Sequence, residues 1–137
     1  MVDASEVIAD LLARGHAVRF QARGDSMHPA IRDDDYLHVE PLDASVRLHR
    51  GEIVVMLAER GLTVHRVLAQ RGETVLARGD NAPDADPPLA RTRVIGRVIA
   101  IERNGKSRRL ATSLVLRTLS ERRAALRRMV RRWMGGN

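Results

Sequence analysis

The chain has no cysteine, and with it go disulfides, thiolate metal sites and cysteine nucleophiles. Lys106 is the one lysine among 24 basic residues. A single Phe, Tyr and Trp leave aromatics at 2%, so a core has to be assembled from Val, Leu, Ile, Ala and Met. No apolar run approaches the ~18 residues of a bilayer-spanning helix. The opening Met-Val-Asp-Ala-Ser-Glu lacks the basic region and apolar stretch of a secretory signal. A cytoplasmic location is therefore the default expectation. At 137 residues the chain is expected to form one domain with a real hydrophobic core.

The net charge of +7 is unevenly spread. Ile101 to Asn137 carries eleven basic residues against two Glu, a net of +9, whereas the first hundred residues carry thirteen against fifteen acids, a net of −2. The basic character belongs to the C-terminal end, and such asymmetry points to a tail that meets something anionic.

Hydrophobic periodicity divides the chain into three parts. Over residues 1–15, Asp3-Ala4-Ser5-Glu6 reads as a capping box ahead of Val7, Ile8, Leu11 and Leu12 on one helical face, with Gly15 as the stop. This helix is too short to be a helix-turn-helix domain. Over residues 16–110 the pattern becomes short strands, expected near 16–22, 36–40, 52–58, 62–69, 74–77, 94–102 and 107–110. Between them lie turn signals such as Asp33-Asp34-Asp35, Arg60-Gly61, the proline-rich stretch 81–88 and Asn104-Gly105. The pattern predicts a mainly β protein with a partly closed antiparallel sheet. Over residues 111–137 a helical period returns. Val115, Leu119, Leu126, Met129, Val130 and Trp133 share one side, and Arg117, Arg122, Arg123, Arg127, Arg128, Arg131 and Arg132 cover most of the rest.

The chemistry-bearing candidates begin at Gly24-Asp25-Ser26-Met27-His28-Pro29. Here a serine sits in a glycine-led corner just after the strand ending at Ala22. A serine hydroxyl needs a base to become a nucleophile, and His65, in Val64-His65-Arg66-Val67, is the candidate. Gly79-Asp80-Asn81, with Asp84 and Asp86 beyond it, offers carboxylates that could orient the imidazole. Each piece alone has a plainer reading. Gly-x-Ser turns are common, a strand histidine is usually a polar-face or satisfied core residue, and Gly-Asp-Asn is first of all a turn.

Taken together and in order, these segments resemble the serine peptidase superfamily that joins type I signal peptidases with the self-cleaving, LexA-like SOS and phage repressors. Gly24-Asp25-Ser26-Met27 with Pro29 carries the first part of the resemblance. Gly51-Glu52-Ile53-Val54-Val55 leading into Val64-His65-Arg66-Val67 carries the second. Gly79-Asp80-Asn81 with Asp86 and the strand Val94-Ile95-Gly96-Arg97-Val98 carries the third. In the bacterial signal peptidases and the repressors the base is a lysine, whereas the archaeal and endoplasmic-reticulum enzymes use a histidine in a His-Arg-Val-like strand. This chain resembles the second type. Its only lysine is expected in a hairpin turn after the matched region, where a family base would not stand.

The resemblance implies acyl transfer, with Ser26 as nucleophile and neutral His65 as base. It favours Asp86 as the orienting carboxylate, with Asp80 second and Asp84 third. The Ser26 backbone N–H is the natural oxyanion donor, and Gly24, Asp25 and Met27 complete the corner as candidate oxyanion or substrate-binding residues. No metal or cofactor is expected. The expected substrate is a leader or propeptide on a specific precursor protein. The contrasting reading is a catalytically silent binding module that works through its basic tail. Self-cleavage of the repressor kind ranks last, because no Ala-Gly or Cys-Gly pair precedes Ser26. For the tail itself, packing on the β body or a second subunit ranks first. An anionic membrane surface, such as the inner membrane face, or a protein partner ranks second, and nucleic acid ranks last.

Overall fold

A computed structural model of the chain describes residues 4–110. The expected capping residue Asp3 and the expected C-terminal helix lie outside the described residues. The first element is α1 (Ala4–Ala13). Leu12 is buried and Ile8 packs beside it, whereas Val7 stays 46% exposed, so the apolar face is narrower than its sequence spacing predicts. The helix ends as its glycine indicates. Gly15 N–H bonds to the Leu12 carbonyl and His16 N–H to that of Leu11, a Schellman pair that satisfies the last turn.

The rest is mainly β. Eight strands follow: β1 (Val18–Gln21), β2 (Tyr36–Pro41), β3 (Ile53–Ala58), β4 (Gly61–Arg71), β5 (Thr74–Arg78), β6 (Leu89–Ala90), β7 (Val94–Arg103) and β8 (Lys106–Arg109). They form one antiparallel, curled half-barrel sheet in the order β1-β2-β7-β3-β4-β5-β6, with β8 also on β7. On one side β7 pairs along its length with β2; on the other its first half meets β3 and its second half β8. Register shifts at His38/Val39, Val55/Met56 and Val67/Ala69 bend the ladder. The mainly β antiparallel class expected from the turn spacing is the class observed. The short β6 is the strand that the sequence pattern does not announce. Leu89 and Ala90 follow two prolines, and they become a strand because Val75 and Thr74 of β5 offer an edge to pair with.

The curled sheet has a core on each face, and β3 separates them. Side chains alternate along a strand. Thus Ile53 and Val55 join Leu12, Met27, Ile31, Leu37, Val39, Val98 and Ile101. Val54 and Met56 join Leu48, Val67, Val75, Ala77 and Val94 on the other face. A strand buried on both faces reads as an unbroken apolar run, which explains Ile53-Val54-Val55-Met56.

Under the second core, residues 42–51 are tied down by a buried cation. Arg91, 1% exposed, donates to the carbonyls of Asp43, Val46 and Val94. Burial pushes its guanidinium below the ordinary arginine value, against the pull of Asp43, Glu73 and Glu52. Glu52, also buried, accepts from Arg97 and from the His49 N–H. No helix among the described residues is long and apolar enough to cross a membrane.

Candidate active site

The serine corner is built by the acidic turn that follows it. The chain leaves β1 at Ala22, whose backbone exchanges hydrogen bonds with Asp34 and Asp35. The three aspartates then divide the labour. Asp33 accepts from the Gly24 N–H at 2.8 Å, and Asp34 pairs with Arg23. Asp35, 4% exposed, takes two bonds from Arg103 and one from the Arg32 N–H. The Arg103 guanidinium holds the Asp35 carboxyl below the usual aspartate range, with burial opposing and the Arg32 N–H bond and side-chain charge helping.

Gly24 turns with φ +86°, a conformation open to glycine at no steric cost. Beyond it a helix-like turn closes through His28 N–H to the Asp25 carbonyl and Ile31 N–H to the Met27 carbonyl. Met27 and Ile31 plug into the first core while Ser26, beside them, stays exposed. Among the described residues nothing accepts from the Ser26 N–H.

His65 comes from β4, opposite Val54 of β3. Its side chain is 12% exposed and bonded at both ring nitrogens. Nε2 lies 3.3 Å from Ser26 Oγ, and Nδ1 lies 2.5 Å from Asp86 Oδ2. A carboxylate only accepts, so Nδ1 carries the proton and donates to Asp86, and in the neutral ring the Nε2 lone pair then faces the serine hydroxyl. Asp86 is held in place by its own backbone N–H, bonded to the Ala77 carbonyl at the end of β5. The structure thus brings together Ser26, His65 and Asp86 from three separate segments of the chain.

It does not bring Asp80 to the imidazole. Both Asp80 carboxylate oxygens accept from Arg66, from Nε and Nη2 at 2.8 Å each, and Arg66 Nη1 donates to the Gly51 carbonyl at 2.9 Å. The bond to Asp80 holds the Arg66 guanidinium above its ordinary value, against the effect of burial. Asp84 is exposed. Of the corner residues, Gly24 gives its N–H to Asp33, and Asp25 gives its carbonyl to the Asn81 side chain. Met27 turns its thioether inward, where Sδ accepts from the Asp80 N–H at 3.4 Å.

Two contributors lie outside the sequence candidates. Arg66 is one; the residue is visible in Val64-His65-Arg66-Val67, but its partner becomes apparent only once β4 meets the turn after β5. Gly79 is the other. A Cβ at this position would stand 2.7 Å from the Ser26 carbonyl oxygen and 3.0 Å from His65 Nε2. The sequence signals a turn glycine there, whereas the structure needs the glycine for close approach.

A cavity of about 440 Å³ opens elsewhere, between the acidic turn and the β7–β8 hairpin, and is lined by none of Ser26, His65 and Asp86. Among the described residues no group of three His, Asp or Glu is arranged to hold a metal ion. Arranged as they are, the three site residues can move a proton from a hydroxyl to an imidazole whose tautomer is fixed by a carboxylate, the requirement for nucleophilic acyl transfer. The family model described as Peptidase S24-like matches residues 3–99, a span that contains all three. No curated protein matches the chain.

Proposed function

The chain belongs to the Peptidase S24-like family, within the LexA and signal-peptidase-like superfamily, and from that premise we propose that it is a Ser–His endopeptidase that trims a leader or propeptide from a specific precursor protein. The observation that carries this reading is the line Ser26 Oγ to His65 Nε2 to Asp86, at 3.3 Å and 2.5 Å. His65 takes the Ser26 proton as Oγ bonds to the scissile carbonyl carbon. The resulting oxyanion faces the Ser26 N–H, which has no acceptor among the described residues. The carbon–nitrogen bond then breaks, and His65 returns the proton to the leaving amine. Water, deprotonated by the same imidazole, releases the acyl group from Ser26. Asp86 holds the ring and balances the imidazolium. The base acts as the neutral imidazole.

Cleavage of candidate precursors, followed by mass spectrometry, tests the reading. Wild-type chain should cut one defined bond, and Ser26→Ala should reduce the rate by at least about 10³-fold. Cleavage by Ser26→Ala at the wild-type rate would exclude this serine as the nucleophile.

A second reading is supported by a different observation. Lys106, Arg108 and Arg109 on β8 are exposed and have no carboxylate partner among the described residues. They lead directly into residues 111–137, with seven Arg and one Glu. In this reading the protein is a binding module whose basic end meets a partner protein, an anionic membrane surface such as the inner membrane face, or nucleic acid. Function would then survive Ser26→Ala and be lost when Arg127, Arg128, Arg131 and Arg132 are changed together to Gln; the peptidase reading expects the reverse.

A further inference from the structure

Proton transfer explains why Ser26, His65 and Asp86 meet, but not why a second set of contacts crosses the same spot. Successive side chains leave a strand on opposite faces. His65 reaches Ser26 and Asp86, and the next residue, Arg66, reaches Asp80 and Gly51. Asp80 is the middle residue of the turn Gly79-Asp80-Asn81, and three donors of that turn face the serine corner. Asn81 N–H donates to the Ser26 carbonyl at 2.9 Å, and the Asn81 side-chain amide donates to the Asp25 carbonyl at 3.2 Å. The Asp80 N–H points at Met27 Sδ. Gly79 lies flat against both the Ser26 carbonyl and the His65 ring. One three-residue turn is therefore gripped on one side by the residue after the base, and on the other by the serine and both its neighbours.

We propose that the Arg66–Asp80 pair is a positioning clamp. It fixes the 79–81 turn to β4 and thereby sets the Ser26–His65 separation, without either residue touching the reacting atoms. The proposal rests on the serine peptidase reading above. The pair's form suits the task. Two parallel N–H···O bonds, with a third to the Gly51 carbonyl, define an orientation as well as a distance. Lysine, with a point charge on a flexible stem, cannot reproduce that fork. The two side chains are 34% and 21% exposed, and a partly exposed ion pair contributes little to global stability. Its effect is therefore expected in the rate more than in the melting temperature.

The test uses the full chain and a fluorophosphonate, which reports serine activation without a known substrate. Ser26 Oγ bonds to phosphorus, fluoride leaves, and His65 takes the proton. Labelling is followed by intact mass, with Ser26→Ala as the control. Arg66→Lys and Asp80→Asn should each slow labelling by about 100-fold, the scale of a misplacement near 1 Å. Their melting temperatures should stay close to wild type, and the double variant should be no slower than either single one. An independent readout is the ¹⁵N spectrum of the His65 ring. Its signals should shift on Ser26→Ala in the wild-type background, and that response should vanish in the clamp variants.

Clamp variants that label at the wild-type rate, or single effects that multiply in the double variant, would overturn the clamp. Should Asp80→Asn fail to fold, Asp80→Glu keeps the charge and displaces the carboxylate by one methylene, with the same loss expected. A wild-type chain that is not labelled, or a Ser26→Ala chain labelled equally fast, would instead overturn the peptidase reading beneath it.

Discussion

At the scale of single residues, the site depends as much on a missing side chain as on those present. Gly79 lies where a methyl group would meet the Ser26 carbonyl at 2.7 Å and His65 Nε2 at 3.0 Å. The first neighbour is backbone, held by the Asn81 N–H, and the second is a ring held at Nδ1 by Asp86. Neither yields cheaply. Gly79→Ala is expected to separate Ser26 from His65 and to lower the labelling or cleavage rate by about 100-fold. Circular dichroism should show an unchanged β content. Retained activity in this variant would mean that corner and strand move apart without cost to the chemistry. The two carboxylates that the resemblance ranks first and second take different partners. Asp86 meets the imidazole, whereas Asp80, six residues earlier, is engaged by Arg66. Nothing in the spacing of the two aspartates decides this; the choice follows from which face of β4 each one approaches.

At the scale of elements, the strands owe their positions to their turns. The β7–β8 hairpin is the plainest case. Asn104 and Gly105 both lie in the left-handed region, at φ 52° and 74°, as a two-residue hairpin turn requires. Asn accepts that conformation better than most residues, and glycine accepts it at no cost. Gly105→Ala should therefore destabilise the fold by about 1 kcal/mol, read by urea titration, and leave serine labelling unchanged. The acidic turn before β2 illustrates a different principle. Three adjacent aspartates look interchangeable in the sequence, yet one holds Gly24, one pairs at the surface with Arg23, and one is buried beneath Arg103. Through Asp35 the serine corner is fastened to the far end of β7.

At the scale of the molecule, that fastening predicts how the fold responds to acid. Arg103 and the Arg32 N–H bind the charged form of Asp35, so its folded-state value lies below that of an unfolded aspartate, about 3.9. The stability this provides is complete above the unfolded value and is lost as the pH falls through the folded one, because the unfolded chain then takes up the proton first. Glu102, bound by Arg19 and His38, is lowered in the same direction. Thermal stability should hold down to about pH 5 and then decline. Asp35→Asn should be less stable at neutral pH by roughly 1–3 kcal/mol and show a shallower decline in acid. A steeper decline in the variant than in the wild type would contradict the assignment of this linkage to Asp35.

The strand-rich class, the helix stop at Gly15, the hairpin at Asn104-Gly105 and the residue types available for chemistry are legible along the chain without its fold. These are local matters, set by side-chain periodicity, by which residues tolerate positive φ, and by the absence of cysteine and near absence of lysine. The packing of distant segments is what requires glycine at position 79, gives Arg66 its partner, and sets Asp86 at His65 and Asp80 at Arg66. It also made β6 a strand, by offering an edge to two residues that carry no pattern of their own. These outcomes depend on distances between segments far apart in the chain, and residue order carries no measure of those distances until the sheet curls and brings Ser26, His65 and Asp86 together.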